Sequence, residues 1–147
     1  MEGADGWRMP TEQQWEFAAK GGIKSVAYKG DKTDTYFIYS GSDTADEVAW
    51  YDEDSNLRPQ KEGKWYDEDS DLRTREIGKK KANELGLYDI SGNVYEWCFD
   101  TMNYSRLGRV LRGGSWISSV ENCRLVYRFA YSPYVQYENV GFRLVRP

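Results

Sequence analysis

The sequence predicts an α+β fold, loop-rich, with short β-strands and few helices. Three observations carry this. One segment alone has clear helical periodicity. The stretch from Ile23 to Arg75 is rich in Asp, Ser, Gly and Lys with scattered aromatics, the text of long loops and short strands. Two segments in the final third alternate sides as strands do. A chain of 147 residues is long enough for one domain burying roughly 68–70% of its unfolded surface.

The helix is expected over residues 10–20. Thr11 is its N-cap, and Gln14 three residues on completes a capping box. Trp15, Ala18 and Ala19 form the apolar stripe, and Gly21-Gly22 ends it. Further on, Trp50–Arg58 recurs as Trp65–Arg73, offset by 15 residues. The Asp-x-Asp-x-Asn spacing hints at a calcium loop. However, Leu57 and Leu72 stand where that loop needs glycine, and Gly63 and Gly78 stand where it needs glutamate. A duplicated surface loop is the better reading. Residues 109–116 and 139–145 are the expected strands, with Gly113-Gly114 marking a bulge or a close backbone approach.

Composition excludes much chemistry. The chain has no histidine, so Ser-His-Asp or Cys-His catalysis and His-ligated zinc are ruled out. Two cysteines, Cys98 and Cys123, are too few for a disulfide framework or a four-thiolate zinc site. They either pair or sit as buried thiols. A net charge of −4 argues against nucleic acid as a partner. No apolar run approaches membrane-spanning length, and no signal-peptide pattern opens the chain. All nine lysines lie at or before Lys81; beyond it the only cation is arginine, whose planar fork suits fixed, partly buried hydrogen bonds.

Two segments stand out. In Asn83–Cys98, Asp89 and Glu96 bracket a tight turn at Ser91-Gly92-Asn93. Two carboxylates with the turn's carbonyls make a hard-oxygen nest suited to calcium. Equally, Asp89 and Asn93 could simply hydrogen-bond the turn's backbone. In 117–137 only Glu121, Arg124 and Arg128 are charged, well below the chain average of 30%. Alternation at Tyr127, Phe129 and Tyr131 points three rings to one side. Crowded tyrosine hydroxyls fit a buried strand poorly, whereas a Tyr/Ser-rich, charge-poor surface has the composition of a recognition face.

Collinear motifs then carry a resemblance. Arg8-Met9-Pro10-Thr11-Glu12 with Trp15-Glu16 and Ala18-Ala19; Asn83, Gly86-Leu87-Tyr88-Asp89, Gly92-Asn93-Val94 and Glu96-Trp97; Arg109-Val110 and Arg112-Gly113-Gly114-Ser115-Trp116; Cys123-Arg124, Arg128 and Val140–Leu144 follow one another in order. Together they resemble the formylglycine-generating-enzyme (sulfatase-modifying) domain, a variant of the C-type lectin fold. Family members carry a longer stretch ahead of the first motif. The chain is therefore read as a single domain over 1–147, a compact relative or the C-terminal part of a longer protein.

The resemblance implies where the family's copper thiolates would fall: Ser118 and Cys123. Serine is a poor ligand for soft copper(I), so oxidase activity is expected to be lost and no redox cofactor is expected. It also implies a structural calcium held by Asp89, the carbonyls of Gly92 and Val94, and Glu96. The family has non-enzymatic members too, the variable proteins of diversity-generating retroelements, in which adenine-rich codons are rewritten. Framework positions aside, residues from Trp116 to Val140 belong almost entirely to the set such rewriting yields, with Glu121, Gln136 and Glu138 outside it. The reading is thus a non-enzymatic binder, displayed extracellularly or on a cell surface, whose variable region 117–137 recognises a protein or other macromolecular ligand. Its face would comprise Ile117, Ser118, Ser119, Val120, Tyr127, Phe129, Ala130, Tyr131, Tyr134, Val135 and Tyr137. No contact with nucleic acid and no membrane insertion by this chain are expected; the alternative is a formylglycine-generating oxidase-like enzyme, degenerate or active.

Overall fold

A computed structural model describes residues 6–24, 36–53, 73–102 and 108–146. Both copies of the internal repeat fall largely outside these residues. Helix α1 spans Glu12–Ala19 with the full capping box: Thr11 accepts from the Gln14 amide, and the Gln14 side chain accepts from the Thr11 amide. Trp15 and Ala19 are buried, as the apolar spacing requires. The last carbonyls of α1 are satisfied from outside the helix. Asn83 Nδ2 donates to Ala18 O at 2.9 Å and Ser40 Oγ donates to Ala19 O at 2.8 Å, covering groups that a helix end leaves orphaned.

A one-turn helix α2 (Ala45–Val48), which the sequence pattern did not reveal, leads into β1 (Ala49–Trp50). This short strand pairs in parallel with β2 (Ser91–Gly92). The main sheet has four strands in the order β5-β4-β3-β6, formed by β3 (Tyr95–Thr101), β4 (Arg109–Arg112), β5 (Phe129–Tyr131) and β6 (Val140–Gly141). β4 lies antiparallel between β3 and β5, while β6 runs parallel to β3. A 3₁₀ turn, Val120–Cys123, precedes β5.

The expected strands are shorter than their alternation suggested. The first stops at Arg112 because Gly113 and Gly114 bring the backbone against its neighbours. A Cβ there would lie 2.6 Å from Ile90 O and 2.6 Å from Cys123 Sγ, respectively. The second pairs with β3 only at Val140 and Gly141. Val145 instead bridges Arg8, with backbone bonds of 3.0 and 2.8 Å.

Among the described residues two apolar clusters fill the interior. Trp15, Ala19, Ile90, Cys98, Val110 and Leu125 form one; Tyr39, Ala45, Val48, Ala49 and Cys123 form the other. The two cysteines thus sit in different clusters, both as free thiols, each pushed up to about 12 by burial.

The back-half arginines hold the clusters to the sheet. Arg112 is fully buried; its guanidinium meets Glu12 Oε1 at 3.1 Å and Glu16 Oε2 at 3.0 Å, donates to Leu125 O at 2.6 Å, and lies 4.9 Å from the Trp15 ring centroid. Arg128 forks onto Glu12, and Arg143 onto Glu96. Burial raises the Glu16 carboxyl, but the hydrogen bond from Lys20 and the charge of Arg112 outweigh it and hold the group below its usual value.

Candidate ligand-binding face

β5 and β3 carry the face, with β4 between them. On β5, Phe129 and Tyr131 meet edge to face at 4.9 Å, as the alternation predicts for residues on one side. Tyr131 stacks on Tyr137 with centroids 4.0 Å apart and planes 13° apart. On the other flank Phe129 packs against Tyr95 of β3 at 6.0 Å. The result is a continuous ladder, Tyr95–Phe129–Tyr131–Tyr137, with offset and edge contacts each worth about 0.5–1.5 kcal/mol beyond burial.

Burial and then the neighbouring hydroxyls of Tyr137 and Tyr127 raise the Tyr131 phenol; burial alone raises Tyr127. Tyr95 is raised chiefly by burial too, with the Ser118 hydroxyl pulling the other way. These rings therefore stay neutral at physiological pH. Tyr134, 85% exposed, and Val135, 51% exposed, project from the turn after β5.

Not every expected residue reaches this surface. Ser118 is only 6% exposed. Its Oγ accepts from the Ser115 amide at 3.0 Å and shares a 2.9 Å hydrogen bond with Ser115 Oγ, so it secures the turn after Gly113-Gly114. It does not belong to the face. Val120 packs against the second apolar cluster and also turns inward. Ile117 and Ser119 are half-buried at the rim, as are Tyr127, Phe129, Ala130, Tyr131 and Tyr137.

Sequence reasoning missed Trp97 at the surface and Tyr95 beneath it, which is only 4% exposed and backs the ladder from inside. They sit between Asp89 and Cys98, where the turn and the carboxylates took precedence. Their signal was the alternation Tyr95, Trp97, Phe99, which sets three rings on one side of an extended strand. Trp97 lines an open groove of about 630 Å³ together with Val135, Gln136, Tyr137, Glu138 and Val140.

Of the four expected metal ligands two are carboxylates, and their hydrogen-bond partners differ. Glu96 is buried, and its carboxylate accepts from Trp15 Nε1 at 2.8 Å and from the Arg143 fork at 2.8–3.2 Å. That carboxylate ties α1 and Arg143 to β3. Asp89 differs. Its Oδ2 accepts from the Gly78 amide at 2.7 Å, while Oδ1 is buried without a hydrogen-bond partner. An orphaned carboxylate oxygen suits a hard cation, with the Gly92 and Val94 carbonyls in the same turn. Among the described residues no three acidic or thiol side chains converge on one point. The Asn93 side chain reaches away from its own turn and clamps Arg75, accepting from its amide at 2.9 Å and donating to its carbonyl at 3.2 Å.

A capped helix, short strands and long connections pinned by buried side-chain hubs define a C-type-lectin-like domain of the formylglycine-generating subclass. The chain belongs to the family described as "Sulfatase-modifying factor enzyme 1-like domain", whose model matches residues 2–147. It is 39% identical to the chaperone protein LppX of Paenibacillus barcinonensis over 99% of this chain and 51% of that protein. It is 30% identical to the inactive C-alpha-formylglycine-generating enzyme 2 of Mus musculus over 94% of this chain and 42% of that one. Among solved structures, Treponema denticola variable protein 1 superposes with a TM-score of 0.72 at 36% identity, covering 97% of this chain and 49% of that one. The chain thus spans about half the length of the relatives it matches.

Proposed function

We propose that this chain is a non-enzymatic binding module whose C-terminal aromatic face recognises a macromolecular ligand. The observation that carries this is the charge-poor ladder Tyr95–Phe129–Tyr131–Tyr137 with Tyr134 projecting beside it. Rigid amphipathic rings supply contact area at low entropic cost, and a packed ladder holds them in place before binding. Similarity to a variable protein and to an inactive member of the family supports a binder. So does the serine at position 118, locked to Ser115 where an oxidase would present a thiolate. In this reading the face is diversified by a retroelement and displayed outside the cell.

Loading the protein with copper(I) and presenting a cysteine-containing sulfatase peptide is expected to give no turnover; turnover would overturn the reading. Tyr134→Ala is expected to abolish ligand capture while stability changes by less than about 0.5 kcal/mol, since the ring is exposed. Tyr131→Ala should cost about 1–2 kcal/mol as well, because it breaks two ring contacts. Near-copies of the codons for residues 109–143 beside a reverse-transcriptase gene are the expected genomic signature.

A calcium ion held by Asp89, the Gly92 and Val94 carbonyls and Glu96 is part of the same proposal. At a hundredfold excess over its Kd, calcium is expected to add about 2.7 kcal/mol of stability. Asp89→Ala should remove that gain. A melting temperature unmoved by calcium would defeat the assignment.

A further inference from the structure

We propose that the groove between Trp97 and residues 135–140 is a subsite for a neutral saccharide. This rests on the reading of the aromatic face as a recognition surface and names the ligand class at one end of it. The groove's volume of about 630 Å³ lies within the range of small-ligand sites. Two rings, Trp97 and Tyr137, and two valines, Val135 and Val140, supply apolar wall; Gln136 and Glu138 supply polar rim. Tyr137 is held by its stack on Tyr131, so its ring is an ordered wall that costs little to fix on binding.

The lining chemistry selects among ligand classes. Among the described residues no lysine or arginine lines the groove, so an anionic group would meet no counter-charge there. Among the described residues its one carboxylate is Glu138, which already has an interaction partner within the fold and is a poor receiver for a cation. A purely apolar ligand would make no use of the exposed Gln136 amide on the rim, with its two donors and an acceptor. A sugar ring matches every part. Its C–H face lies on an aromatic ring, and its edge hydroxyls both donate and accept, pairing with the Gln136 amide.

Nitrogen-labelled protein would be titrated with neutral monosaccharides (glucose, galactose, mannose, N-acetylglucosamine) and their short oligomers, following amide and indole signals. A trimethyllysine peptide and a sulfated sugar form the cationic and anionic arms. The expected result is saturable movement of the Trp97 indole and of the amides at 135–140 with a neutral sugar, and none with the charged probes. Gln136→Ala, an exposed change that leaves the fold intact, should weaken binding about tenfold or more; Trp97→Ala should abolish it. No response to any neutral sugar, a response to the charged probes alone, or unchanged binding by Gln136→Ala would overturn the subsite. The wider reading fails separately. If sugar binds but Tyr134→Ala leaves capture of the macromolecular ligand intact, the groove stands and the face does not.

Discussion

Arg112→Met is expected to destabilise the protein by about 3–5 kcal/mol, read as a shift of the urea midpoint at unchanged slope. The guanidinium is fully buried and is the common partner of Glu12, Glu16, the Leu125 carbonyl and the Trp15 ring. Methionine fills the volume but leaves Leu125 O without its donor, a loss of about 1–3 kcal/mol for a buried acceptor. Cation–π contact over a desolvated ring adds about 2 kcal/mol. The two glutamates lose less, because Arg128 still holds Glu12 and Lys20 still holds Glu16. Arg112→Lys should recover only part of the loss, since an ammonium cannot span both carboxylates and the carbonyl. A change below about 1 kcal/mol for the methionine variant would mean that the hub is not what ties α1 to the sheet.

The second large effect is expected at Gly92, and its origin is steric. Gly92 has φ of 78°, and a Cβ there would lie 2.3 Å from Trp50 O and 2.6 Å from Trp50 N. Both atoms belong to the backbone of β1, so no side-chain rotation can relieve the clash. Gly92→Ala should therefore cost about 1–2 kcal/mol for the left-handed backbone and about 1–3 more for forcing the strands apart. Because Asn93 N donates to Trp50 O at 2.8 Å, the same change should also disturb the turn that presents Asp89. The variant's loss of stability and its loss of calcium response should appear together. A variant as stable as the parent would show that β1 and β2 do not approach as closely as described.

Local interactions were legible from the amino acids. The capping box of α1 depends on residues three apart, and both halves of it form. The close approach at Gly113-Gly114 could be read from the absence of side chains. The preference for arginine over lysine in the back half foretold the forks onto Glu12, Glu16 and Glu96. The family frame, carried by motifs in order along nearly the whole chain, was legible too. β3 was not, for a physical reason. Its inward positions Glu96 and Cys98 and its outward Phe99 break the usual polar-out alternation, because Arg143 makes a buried glutamate tolerable there.

By itself the sequence determined an α+β, loop-rich domain with one capped helix, no histidine chemistry and a charge-poor cluster of tyrosines. Only the tertiary structure decided which of those residues face outward. It turned Ser118 and Val120 inward, kept Cys98 and Cys123 in separate clusters, and assigned the Glu96 carboxylate to Arg143 and Trp15. It also brought Tyr95 from a strand more than thirty residues away to complete the ladder, and Trp97 to wall the groove. Composition states how many rings a segment holds. Which ring stacks on which depends on strand register, and register is set by long-range pairing that no local window contains.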